Sequence, residues 1–126
     1  MTGTQGASIL MEVSNAMVRL HKEQFGRGPT SARSDFAGRD VIVCVLENVL
    51  LPAETKMVQL GDQNRVRDSR VTYQAATAGD FVAVVEGIVG RKVRAFASGV
   101  DPDKDVVFET FYFERDGDTD GESPVA

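Results

Sequence analysis

Between residues 8 and 25 the apolar positions Ile9/Leu10, Val13, Ala16/Met17 and Leu20 recur every three or four residues, while Glu12, Asn15, Arg19 and Lys22 fall largely outside that stripe. This spacing predicts an amphipathic helix with one buried face and Ser8 as a candidate N-cap. Gly26 accepts a positive φ at little steric cost and Pro29 follows shortly after, so the helix is expected to stop near Phe25. Over residues 30–37 the pattern changes to alternation, with Ala32, Ser34 and Phe36 on one face and Ser31, Arg33 and Asp35 on the other. Gly38-Arg39 suits a tight reversal. Residues 40–46 form an almost continuous apolar, β-branched run, the pattern of a central strand covered on both faces. Together the two segments read as a hairpin.

Leu51-Pro52-Ala53-Glu54 opens a second helix, with Pro52 suited to its first turn and Lys56 near Glu54, and Gly61-Asp62 interrupts it. Val66, Tyr73, Thr77, Phe81, Val84/Val85 and Ile88 predict a longer helix ending at Gly90. Gly79 and Gly87 weaken it, each by about 1 kcal/mol against alanine. Residues 91–98 and 105–114 read as a second hairpin around the turn-forming stretch Gly99-Val100-Asp101-Pro102-Asp103-Lys104. The order α-β-β-α-α-β-β predicts a single α+β domain, a mainly antiparallel four-stranded sheet with helices packed on one face. The domain is expected over residues 8–114, after a disordered lead at 1–7 and before an acidic disordered tail at 115–126. Phe108, Phe111, Tyr112 and Phe113 fall on both faces of the last strand. That calls for cover beyond the helical layer, and a second subunit in a homodimer is the expected source.

Composition narrows the function classes. A chain of 126 residues supports one core without staples. Its only cysteine, Cys44, excludes an intramolecular disulfide, and the absence of CxxC or Cys/His clusters argues against structural zinc, so a reducing cytoplasm is expected. The N-terminal residues lack the pattern of a signal peptide, and the longest apolar run falls far short of the ~20 residues of a membrane-spanning helix. From residue 114 onward five acids and one base contribute −4 of the net charge of −5, leaving a nearly neutral body. With no basic excess to release counterions from phosphates, nucleic-acid binding is not expected.

The candidate chemistry gathers around the only histidine. His21 stands at the edge of the first helix's apolar stripe near its C-terminal end, and Lys22 and Arg27 follow. Joined by Arg91 and Lys92, these residues would form a site for a carboxylate, phosphate or bicarbonate; alone, they cap helix carbonyls. Gly26-Arg27-Gly28-Pro29-Thr30 lacks the Gly-Lys-Ser/Thr ending of a phosphate loop and reads as a helix stop plus turn. Cys44 and His21 would have to serve as nucleophile and base, but Cys44 lies within an apolar strand where burial raises a thiol's pKa. Asp101, Asp103 and Asp105 lack the glycine and closing glutamate of a calcium loop, and Asp116, Asp118 and Asp120 run out of chain before the twelfth position, so no metal or cofactor is expected. Arg65, Arg67 and Arg70 cluster near the start of the long helix, with Arg67 and Arg70 expected as surface neighbours beside Asp68. A KH-like RNA clamp would need a second glycine where Gly61-Asp62-Gln63-Asn64 has none.

Several of these segments together resemble a known family. Val13-Ser14-Asn15-Ala16, His21-Lys22-Glu23-Gln24-Phe25-Gly26-Arg27-Gly28-Pro29, Leu51-Pro52-Ala53-Glu54, Gly90-Arg91-Lys92-Val93-Arg94-Ala95-Phe96 and Asp101-Pro102-Asp103 resemble the bacterial MpsC family over residues 9–114. Gln24, where the family often has tyrosine, and Gly99, near a usual acid, depart from it. The resemblance implies a small cytoplasmic protein linked to a membrane system for cation translocation and inorganic carbon uptake, and it implies no established catalytic activity. The expected function is therefore a non-catalytic accessory or regulatory protein docking on a membrane-transport complex, peripheral to the inner face of the membrane. A module that binds a small anion or nucleotide through the segment from His21 to Arg27 is the alternative. An enzyme would need a cleft holding Glu23 and Glu54.

Overall fold

The amphipathic stripe of the N-terminal segment buries Val13, Ala16, Met17 and Leu20 against a sheet, in a computed structural model that describes residues 3–115. The acidic tail expected beyond Arg115 lies outside the described residues, as do Met1 and Thr2. The elements follow the order α1 (Gly3–Phe25), β1 (Ser31–Phe36), β2 (Val41–Glu47), α2 (Pro52–Gln59), α3 (Gln63–Val89), β3 (Val93–Asp101) and β4 (Val106–Phe113). α1 thus begins ahead of Ser8, within the stretch expected as a disordered lead. It ends where glycine chemistry requires, with Gly26 at φ 80° and its N–H on the Lys22 carbonyl at 2.9 Å. Two residues on, the chain runs back against the helix. A Cβ at Gly28 would lie 3.2 Å from the Val18 carbonyl oxygen, a tight contact with backbone, so that position favours a residue without one.

The two hairpins lie side by side in a four-stranded, fully antiparallel sheet of order β1-β2-β4-β3. Ile42, Cys44 and Leu46 of β2 point to the same side as Val107, Phe111 and Phe113 of β4, and the core forms where α1 and α3 cover that side. β3 continues through Gly99 and Val100 to Asp101, which shortens the expected loop to a turn. β2 also departs from expectation. It is central, but only alternate residues are sealed; Val41, Val43 and Val45 are half-buried on the opposite side, where Phe108 is 43% exposed. An apolar run longer than its buried face conceals the period-2 signal, so the sequence overstates the cover.

One crossing point locks the two hairpins to α2. Asn48 and Asp105 both adopt positive φ (60° and 56°), which short polar side chains tolerate. The Asn48 N–H donates to the Asp105 carbonyl at 3.0 Å, and the Asp105 carboxylate accepts the N–H groups of Val49 (2.7 Å) and Leu50 (2.9 Å). Asp105, compared above with a calcium ligand, is thus engaged in shaping the β2–α2 linker. Among the described residues no helix is long and apolar enough to cross a membrane.

Candidate functional site

Strand register assembles a polar row inside the core. Ser34 opposes Cys44, Cys44 opposes Glu109, and Glu109 opposes Ser98, so one line of inward side chains crosses all four strands. Period-2 alternation makes this placement obligatory, since Glu109 shares its face of β4 with Val107, Phe111 and Phe113. α1 adds Ser14 and His21 above the row. The Ser14 and Ser34 hydroxyls lie 2.7 Å apart, and the Ser98 hydroxyl donates to Glu109 Oε1.

His21 and Glu109 face each other at the centre, with Nε2 3.9 Å from Oε2 and both residues fully buried. The imidazole sits against the rings of Phe25 (5.5 Å) and Phe81 (5.6 Å), and neither of its nitrogens, nor Glu109 Oε2, has a hydrogen-bond partner among the described residues. Burying two such groups costs free energy unless each compensates the other. The two groups thus stand within ion-pair distance of each other, out of reach of solvent. His21 neither caps helix carbonyls nor points toward Lys22 or Arg27, because the turn of the helix that carries it faces the sheet.

Cys44 lies beside this pair. Burial pushes its thiol up to about 11; a hydrogen bond with Ser34 opposes the rise, the Glu109 charge adds to it, and Ser14 opposes it further. At neutral pH it is a sealed, protonated thiol. An aromatic disulfide reagent should leave Cys44 unmodified in the folded protein and titrate one thiol per chain in urea; rapid labelling of the folded form would contradict this environment.

A second polar group lies where the Gly-Arg-Gly-Pro and Leu-Pro-Ala-Glu segments meet. Arg27 Nη1 donates to the Leu50 carbonyl at 2.5 Å. Glu54 accepts the Leu51 N–H at 2.8 Å, closing the first turn of α2, and receives Arg70 through Nε (2.8 Å) and Nη2 (2.6 Å). Arg70 is only 2% exposed and lies over the Phe25 ring at 4.3 Å, so it is not the surface neighbour of Arg67 that its spacing suggested. Arg67 instead donates to Asn64 and Arg65 pairs with Asp62, both at the exposed start of α3. Burial alone would raise the Glu54 carboxyl, but the Arg70 hydrogen bonds, the Leu51 N–H and the Arg70 charge together hold it below the usual carboxylate range. Gln74, one turn beyond Arg70, shares with Ser98 a small cavity of about 10 Å³, close to the minimum that holds one water.

The five residues of the expected anion site do not converge. His21 is inside, Lys22 is exposed, and Arg27 is committed to the Leu50 carbonyl. Arg91 sits at the other end of β2, where it clips the β1–β2 turn to the end of β4 through Asp40 (2.7 Å), the Arg39 carbonyl (2.9 Å) and the Glu114 carbonyl (3.1 Å). Lys92 is exposed beside it. Glu23 is exposed and pairs with Arg19, away from Glu54. The residues that sequence reasoning missed are Glu109, Arg70, Ser98 and Gln74. Only Glu109 carries a local signal, its place in the inward alternation of β4.

These features define a small α+β protein whose polar chemistry is internal, organised as a row across the sheet and an ion pair at one corner. Residues 6–115 match the family described as the Na+-translocating membrane potential-generating system (MpsC), and the chain belongs to that family. No curated protein and no solved structure matches it.

Proposed function

We propose that this chain is a non-catalytic accessory subunit that docks, as a dimer, on the cytoplasmic side of a membrane system moving cations or inorganic carbon. The observation that carries the reading is the family match over most of the chain, whose description names a sodium-translocating system. The placement of the reactive side chains supports it. His21, Cys44 and Glu109 are sealed in the core, and Arg27 and Arg91 are engaged by backbone carbonyls of the same chain. What the molecule offers to others is therefore its surface.

Mild-detergent capture of the tagged chain from its native membranes, at native expression, is expected to recover integral-membrane subunits identified by mass spectrometry. Deletion is expected to make growth dependent on added carbon dioxide or to lower the membrane potential. If no membrane subunit is recovered and deletion changes neither property, the accessory role is wrong.

A further inference from the structure

The side of the sheet opposite the helices carries the alternate, outward residues of all four strands. In the register of the four strands, its outward rows read Val41–Tyr112–Ala95, then Asp35–Val43–Thr110–Ala97, then Arg33–Val45–Phe108–Gly99, then Ser31–Glu47–Val106–Asp101. The centre is apolar and aromatic and the charges stand at the margins, the anatomy of a protein interface. Gly99 lies on this side. Its backbone is an ordinary strand conformation and a Cβ there would meet nothing within 4 Å, so no described residue requires glycine, which weakens a strand interior. Close approach of another backbone or surface is one use of glycine at such a position.

We infer that the occupant is a second copy of this chain, packed face to face about a two-fold axis that runs along the strands between β2 and β4. This deepens the dimer of the preceding reading and is independent of its membrane partner. Over the three rows from Val41 to Gly99 bulk across the face is graded: long Arg33 and Asp35 on β1, valines on β2, Tyr112, Thr110 and Phe108 on β4, and only alanine and glycine on β3. The midline axis sets β2 over β4 of the partner and β1 over β3 of the partner, so valines meet the aromatic rings and the long side chains cover the low strip. Those three rows then have matched height, which a patch must have to pack on itself.

Arg33, 77% exposed, comes to lie over the partner's Gly99, one outward position from the partner's Asp101, which is of opposite charge. The net acidity of Arg33, Asp35, Glu47 and Asp101 disfavours an anionic lipid surface; between two copies the same acids stand at the margins of the face, where solvent and salt screen them. Four strands averaging about seven residues give a footprint of roughly 20 by 23 Å. A standard interface takes about a tenth of a small protein's surface. Of the 7487 Å² here that share exceeds the flat footprint, so the dimer must also bury the rim of the face.

Sedimentation equilibrium of the full chain is expected to give a dimer at micromolar concentration. Phe108→Glu should weaken it about thirtyfold or more, as loss of a central aromatic anchor does, while its far-ultraviolet spectrum stays native because the ring is already half in solvent in the single chain. Gly99→Val, which suits a strand, should weaken the dimer as well. Arg33→Asp and Asp101→Arg should each loosen the dimer severalfold, and the double charge swap should restore it. A monomeric native chain overturns both the dimer and the face. A dimer indifferent to Phe108→Glu keeps the dimer and overturns the face. A double swap no tighter than the singles overturns the midline axis.

Discussion

Replacing Arg70 with alanine is expected to lower the unfolding free energy by about 3–5 kcal/mol, because it removes one member of a buried, bidentate ion pair and strands the other. Glu54 loses both guanidinium contacts, the Val49 carbonyl loses its 3.3 Å contact, and Phe25 loses the cation above its ring. Domains of this size hold a total of ~5–15 kcal/mol, so the melting temperature should fall on the order of 15 °C. The pH dependence identifies the source. Arg70 holds the folded-state Glu54 carboxyl below its ordinary value of 4.5, so the stabilisation is fully present above that value and disappears as pH falls through the lower, folded-state one. Circular-dichroism melts of the two proteins should therefore stand apart at neutral pH and converge in acid. A gap that persists unchanged into strong acid would mean that the loss comes from packing alone.

Glu109→Met is expected to cost about 3 kcal/mol, measured as a lower urea midpoint at unchanged slope. Volume is nearly kept, but the Ser98 hydroxyl and His21 Nε2 then face a thioether. Unsatisfied polar groups are the expensive outcome; two well-packed apolar groups in their place are not. His21→Phe placed on top of Glu109→Met should for that reason recover stability, since a phenyl ring suits the pocket between Phe25 and Phe81. If instead the two losses simply add, the imidazole and the carboxylate do not interact, and the row across the sheet is four separate side chains.

What could be read from the sequence follows a physical division. α1 and its stop at Gly26, the break at Gly61-Asp62 and the end of α3 at Gly90 are set by spacing and by positive-φ positions, both of them local. The α+β order and the two hairpins followed from the same signals. The pairing of β2 with β4, which places the hairpins side by side, carries no such signal. Arg70 looked like a surface residue because its burial is decided by Glu54, sixteen residues earlier and on another helix. His21 looked like part of a cationic cluster with Lys22 and Arg27, yet adjacent positions on a helix point in different directions. Its actual neighbour is in the last strand, and only the inward alternation of β4 hinted that an acid would be there. Arg91 was grouped with Arg27 by charge, while the sheet holds them at opposite ends of β2.

The strand order has a consequence for how the chain comes to be made. β2, the most apolar strand, is flanked on one side by its hairpin partner β1 and on the other by β4, which is made after every other described element. Until β4 emerges, one edge of β2 offers unpaired backbone groups, and such an edge templates misassociation. The linker into α2 waits for the same event, because the Asp105 carboxylate that organises Val49 and Leu50 is 56 residues downstream of the first of them. Nascent chains of this protein thus stay open along their most adhesive line until β4 has been made, and its arrival seats the β2 edge, the interior acid and the α2 linker together.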